Sequence, residues 1–522
     1  MSNLATTMRT SDAELSVTKW HEWATHRRLF WIMLAVAVIV VCQFQFWKLP
    51  AKGDRANWDY FAQVIARGGV PYRDVVNIKT PLSAYIGAVA ILAARPFGVR
   101  EIYATRATYV LLAALTIAFT FLVASLYFDC RRIGILAALI LMGVYNFARL
   151  NSDGIQPKTP MILFGMLTLL AVIKDRPLLA GMFGMLSALS WQPGLLFVGA
   201  AGLAFSKYLT SWRDMRLVKV VAGACLPLAI FLGYLWAAGA LKDFYAWCFH
   251  FNMTVYGPRD KQTFQMFLDR LSELLEKSYE QERVYFYLSG IGVLAVALRE
   301  AISTAKQGWP YLLNRAPRHQ VVIAALVYLL FCRINMQGEQ DLIPLLPFVA
   351  IFASVLLVWS LDLTMKLLAR AYAKLNNFPA GRLGFAVLIL AVFFLNVAPA
   401  FSFKVPRKKL KAQDADTAEI MSHLGPEDHI FVHGRTEMLA LSGLTNSRKY
   451  TNLDHGKDNY LDLVEPGGFD GWFEQLKADR PKVVMLSRMD NVDRKKDFLR
   501  WVKHDYERIK GRVFTYYLRK DE

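Results

Sequence analysis

The chain has 522 residues, 55% of them hydrophobic, with a mean hydropathy of +0.28. That hydropathy excludes an ordinary soluble protein of this size, and repeated apolar runs of roughly 14–24 residues argue for a polytopic membrane protein. The net charge of +19 would suggest a nucleic-acid partner in a soluble chain, but many Lys and Arg residues sit at the ends of apolar runs, as the positive-inside rule predicts, and nucleic acid is set aside.

Residues 1–28 are polar and basic and read as a cytoplasmic N-terminal segment. The apolar run 29–47 is too long for a signal-peptide core and is read as a retained first span. Further spans are expected at 103–126, 132–150, 160–174, 178–191, 193–207, 218–239, 284–298, 319–333, 342–362 and 383–401, an all-α polytopic bundle of about 11 transmembrane helices over 29–403. Basic residues alternate between its loops. Arg131 and Arg132, Lys174 and Arg176, Lys207, Arg213, Arg216 and Lys219, Arg315 and Arg318, and Lys366, Arg370, Lys374 and Arg382 mark the cytoplasmic side. The outer loops are then 48–102, 151–159, 192, 240–283 and 334–341. Segment 81–97 is also apolar, but Arg95 and the adjoining Pro-Phe-Gly favour a helix lying in the interface over a span.

From 404 the composition turns charged and mixed, and 404–522 reads as a small α/β domain on the outer, periplasmic side. Short apolar runs at 429–434 and 482–487 read as buried strands, and 415–424, 470–478 and 493–509 have helical spacing. The five cysteines form no CxxC pair and are taken as buried hydrophobes, and the histidines show no ligand spacing. No metal or other cofactor is called for.

Chemistry is expected in the long first outer loop. Asp54 lies just past the first span, and Asp59 follows at a spacing that puts the two carboxylates about 140° apart on a helix, so they do not share a face. Arg73, Asp74 and Lys79 flank a short apolar stretch. Cations there could meet a lipid phosphate, and a carboxylate could take a proton from an attacking hydroxyl.

The run Asp54…Gly68-Gly69-Val70-Pro71-Tyr72-Arg73-Asp74…Lys79-Thr80-Pro81-Leu82, followed by Phe97-Gly98 and Arg106, resembles the first external loop of GT-C glycosyltransferases. Its closest likeness is to bacterial relatives of protein O-mannosyltransferases and lipid A aminoarabinose transferases. A weaker likeness continues through Gln192-Pro193-Gly194, the stretch from Asp341 to Pro347, and the tail. Three departures stand out: Asp54-Arg55 replaces an acidic pair, Thr80 replaces a proline, and Gln340-Asp341 replaces a His-Tyr.

The resemblance implies a GT-C-like fold and a membrane glycosyltransferase with a polyprenyl-phosphate sugar donor, a lipid, glycan or protein acceptor, and inversion at the anomeric carbon. It makes Asp54 the first candidate base and Asp59 the second. Arg73, Lys79, Arg106 and Arg333 become donor-phosphate contacts, with Asp74 orienting Arg73. Candidate sugar or acceptor contacts are Trp58, Tyr72, Asp153, Gln156, Lys158, Trp191, Gln192, His250 and Gln340. The expected location is a bacterial inner membrane. The alternative, a transporter or flippase of lipid-linked substrates, would predict charged or broken residues deep in several spans, whereas polarity here concentrates in the outer loops.

Overall fold

The computed structural model describes residues 24–206, 214–257, 263–308, 316–334, 336–371, 380–405, 407–486 and 489–520. Most of the N-terminal segment, and Lys207, Arg213, Arg315 and Lys374 of the basic loops, lie outside them.

Six helices among the described residues are long and apolar enough to cross a membrane: Ala24–Lys48, Glu101–Phe128, Arg216–Ala237, Arg283–Gln307, Glu339–Ala371 and Gly381–Ser402. We number α1 (Ala24–Lys48), α2 (Gly53–Ala66), α3 (Leu82–Ala94), α4 (Glu101–Phe128), α5 (Arg131–Gly143), α6 (Tyr145–Ser152), α7 (Lys158–Ile173), α8 (Pro177–Ser190), α9 (Leu195–Ser206) and α10 (Arg216–Ala237). The run expected as one span at 132–150 is broken: α5 and α6 meet at a 60° bend around Val144, whose backbone is extended. Four shorter apolar helices, α7, α8, the Gln192–Ser206 stretch and His319–Ile334, occupy the remaining expected spans. Helix α3, continued by a turn to Phe97, belongs to the same group of shorter apolar helices. It leaves Val89, Leu92 and Phe97 exposed.

The largest apolar core runs from α1 through α4 and α5 to the helix beginning at Leu346. At the opposite end from the outer loops, Arg132 grips Asp362 through two 2.7 Å bonds and ties α5 to that helix.

Helix α2 begins at Gly53 and is buried along most of its length. It stops at Gly68-Gly69. Gly68 has a φ of +90°, and a Cβ at Gly69 would stand 2.5 Å from the Val64 side chain, so only glycine fits the reversal. The following Val70–Asp74 turn closes on itself: Asp74 accepts from the Val70 N–H at 2.7 Å, and Tyr72, with a φ of +69°, donates its N–H to Val75.

The tail folds as expected, with one correction. Its four-stranded sheet runs β1 (Ile430–Val432), β2 (Val483–Met485), β4 (Thr515–Arg519), β3 (Tyr506–Lys510). Strands β1 and β2 are parallel, with Phe431 opposite Val484, and β4 is antiparallel to both β2 and β3. The helix expected over 493–509 ends at Asp505. Residues 506–510 instead pair with β4, Arg508 opposite Tyr517, because Gly511 turns the chain back on itself and a strand partner outcompetes helical spacing.

This domain is stitched to the first loop. Gln413 exchanges two hydrogen bonds with the Ala51 backbone (3.0 and 2.9 Å), Gln63 donates to the Ala440 carbonyl, and Tyr60 accepts from the Asn446 N–H. Apolar residues of α2 and of the sheet share one core.

Candidate active site

The segments read as outer-facing converge on one cavity of about 540 Å³. Its wall is built from Asp54, Asn57 and Trp58 of α2, the Val76–Lys79 stretch, Lys158 at the start of α7, Trp191 and Gln192 after α8, the segment around Asn252, Gln340 and Asp341, and the tail loop Thr451–Lys457.

Charge in this cavity is sorted into pairs. The buried Lys158 ammonium lies 3.0 Å from Asp341 Oδ1 and 4.5 Å over the Trp191 ring. Asp341 Oδ2 accepts from the Gln337 and Gly338 N–H groups, so this carboxylate is fully engaged. Lys457 pairs with Asp454 at 3.1 Å. Asp54 and Lys79 are left. Neither has an ion-pair or side-chain hydrogen-bond partner among the described residues. Burial pushes the Lys79 ammonium down to about 8; Lys158 adds repulsion, while Asp54 and Asp341 draw it back.

The strand of backbone carrying Lys79 is held at nearly every polar group. Val76 N–H donates to Lys449, Asn77 Oδ1 accepts from Lys79 N–H, the Ile78 carbonyl accepts from Gln192 and Asn252, and the Lys79 carbonyl accepts from Tyr72. Tyr72 is thus a buried pin against Phe244 and not a cavity contact.

Several expected site residues lie elsewhere. Asp59, about 140° round α2 from Asp54, faces a buried cluster with Arg55, Arg106 and Asp153. It accepts from Thr105 at 2.8 Å, and burial pushes it up to about 6 against the pull of Arg106 and Thr105. Arg55 pairs with Asp153. Arg106 is fully buried and donates to the carbonyls of Phe46, Leu49 and Pro50, clamping the end of α1; it does not reach the cavity. Arg73 makes a two-pronged bridge to Asp74, both bonds 2.9 Å, and a third bond to the Ala238 carbonyl. Asp74 thus holds Arg73, and neither residue lines the cavity. Arg333 sits exposed at a helix end. Gln156 donates to Gln340 from behind the wall, and His250 bonds the Tyr460 hydroxyl at 2.7 Å.

The wall also holds residues not singled out from the sequence: Asn57, Asn77 and the whole Thr451–Lys457 loop. The loop's Asn-Leu-Asp-His-Gly-Lys run is a polar turn signal, but nothing local ties it to a loop nearly four hundred residues earlier; Thr451 and Asn57, which bond at 3.0 Å, are 394 positions apart.

Fold and site together define a class: a multi-pass membrane bundle whose loops on one side and C-terminal α/β domain line one cavity. Among solved structures, the chain is similar to ArnT from Cupriavidus metallidurans bound to undecaprenyl phosphate, with a TM-score of 0.60, 15% identity, and 93% of this chain and 97% of that one covered. The apo state of the same protein gives 0.60 and 14% over the same shares. The oligosaccharyltransferase of Archaeoglobus fulgidus is a looser likeness, at 0.48 and 12%, covering 87% of this chain and 67% of that one. No family model matches the chain, and no curated protein matches it by sequence. At these identities the likeness establishes the fold, and the chemistry has to be argued from the cavity.

Proposed function

We propose that the protein is a membrane glycosyltransferase that moves a sugar from a polyprenyl-phosphate donor to an acceptor hydroxyl on a lipid, glycan or protein at the outer, periplasmic face of a bacterial inner membrane. The observation that carries this reading is the pairing-off of charge. Lys158 and Lys457 are matched by Asp341 and Asp454, leaving one free ammonium, Lys79, and one free carboxylate, Asp54. A polyprenyl-phosphoryl sugar is a phosphodiester with a single negative charge, which one unmatched ammonium complements. The ArnT of matching fold was solved with undecaprenyl phosphate bound, which supports the same donor class.

In this reading Asp54 takes the proton of the acceptor hydroxyl as its oxygen attacks the anomeric carbon. The bond from that carbon to the phosphate oxygen breaks on the opposite face, giving inversion. Polyprenyl phosphate leaves with a second negative charge, which Lys79 stabilises as it develops. Base assistance of this kind typically contributes about 10²–10⁴-fold. The lysines supply the positive charge, so no metal takes part, and turnover should withstand chelation by EDTA.

The test is mass spectrometry of lipids that copurify with wild type and with Asp54→Asn. A polyprenyl phosphate on wild type and its glycosylated form enriched on the variant are expected. Neither protein carrying a polyprenyl lipid that the bulk membrane contains would overturn the reading and turn attention to transport.

A further inference from the structure

Two carboxamides beside Lys79 share one anchor. Gln192 Nε2 and Asn252 Nδ2 both donate to the Ile78 carbonyl, at 2.9 and 2.7 Å. Their remaining contacts are also made by the nitrogen end: Gln192 with the Cys248 carbonyl and Sγ, Asn252 with the carbonyls of Trp247 and Cys248. A carbonyl cannot donate, so these bonds fix which way each amide points. Both amide oxygens are left with no donor among the described residues, and both side chains line the cavity.

Asn252 stands in consecutive π-helical turns, Ala246–His250 and Asn252–Tyr256. Such wide turns are rare in helices and are frequent at functional sites. A third amide, Asn77, is fixed the opposite way: its oxygen accepts from the Lys79 N–H, which leaves its NH₂ to the cavity.

We propose that Gln192 and Asn252 form the recognition site for the transferred sugar, each amide oxygen accepting from one of its hydroxyls, and that this sugar is neutral. The proposal rests on the donor reading above and names the sugar class within it. The charge of the wall argues for neutrality. Two bare amide oxygens repel a uronate. An ammonium-bearing sugar would want a carboxylate, yet Asp341 and Asp454 are held by lysines, and pairing with Asp54 would suppress the base. Hydroxyls satisfy the amides at no such cost.

The experiment measures binding of three lipids to the full-length protein in nanodiscs: undecaprenyl phosphate, a polyprenyl-phosphoryl hexose, and the corresponding amino-hexose lipid. Wild type should hold the hexose lipid tighter than the bare phosphate. Gln192→Met and Asn252→Leu, made singly so that the other amide still holds the Ile78 carbonyl, should each weaken the hexose lipid about three- to tenfold. Unchanged affinity for bare undecaprenyl phosphate reports that each variant is folded. Unaltered hexose-lipid binding, equal weakening of both lipids, or tighter binding of the amino-hexose lipid to wild type would each overturn the assignment. If wild type binds bare undecaprenyl phosphate but shows no preference for the sugar, this inference alone fails; if it binds none of the lipids, the donor reading fails and takes the inference with it.

Discussion

Helix α2 carries two carboxylates into two different surroundings. Asp54, in its first turn, faces an open cavity and makes no ion pair or side-chain hydrogen bond among the described residues. Asp59 faces a closed cluster in which Arg55, Arg106 and Asp153 are spent on each other, on Thr105 and on backbone carbonyls. The first region keeps its charges unsatisfied toward a void, which suits them to a ligand. The second holds its charges against one another out of solvent and fixes how α1, α2 and α4 meet. Charged residues of one loop therefore divide by what they face, and neither residue type nor nearness in sequence tells them apart.

The sharpest way to break this comparison is to neutralise each carboxylate. Asp54→Asn should lower turnover by about 10²–10⁴-fold in a reconstituted transfer assay while the thermal transition stays put. Next comes Lys79. Lys79→Met should weaken undecaprenyl phosphate binding roughly ten- to hundredfold, the scale of a charged hydrogen bond. Because its value in the folded protein is about 8, wild type should lose donor affinity as pH rises past that point, and Lys79→Arg should remove this alkaline fall, since a guanidinium stays charged.

Asp59→Asn should leave turnover within a few-fold of wild type, which would sharpen the contrast, and should change stability instead. With the folded value raised to about 6, the native protein binds more protons than the unfolded chain between about pH 4 and 6. Wild type should thus lose stability as pH rises through that window, by on the order of 2–3 kcal/mol at most, and the variant should show no such slope in urea titrations. The smallest effect is expected at Arg73, an exposed partner of Asp74: Arg73→Gln should alter turnover by at most about threefold, and a larger loss would return it to the donor site.

Much of the fold was legible because membrane spans are written as composition. The apolar runs and the two parallel strands of the tail follow from local pattern. The bend at Val144 was not legible, since α5 and the more polar α6 together still read as one apolar run, and β3 was hidden because its partner lies beyond a turn. Of the site, Asp54, Trp58, Lys79, Lys158, Trp191, Gln192 and Gln340 reach the cavity as the sequence suggested. The Gly-Gly-Val-Pro-Tyr-Arg-Asp motif stood out for a different reason than expected. Asp74 closes the turn and Tyr72 pins the carbonyl of Lys79, so the conspicuous residues are the mount for a lysine that lines the cavity. Asn57, Asn77 and the Thr451–Lys457 loop escaped notice because only tertiary contact gives them a shared purpose.

The bond between Thr451 and Asn57, and the pair of bonds from Gln413 to Ala51, also set a clock. The first outer loop leaves the ribosome early, with its unmatched lysine and carboxylate, but the Thr451–Lys457 wall of its cavity is made nearly four hundred residues later. A nascent chain, however well its helices are inserted, has no enclosed cavity until that stretch has been made and has docked on the first loop.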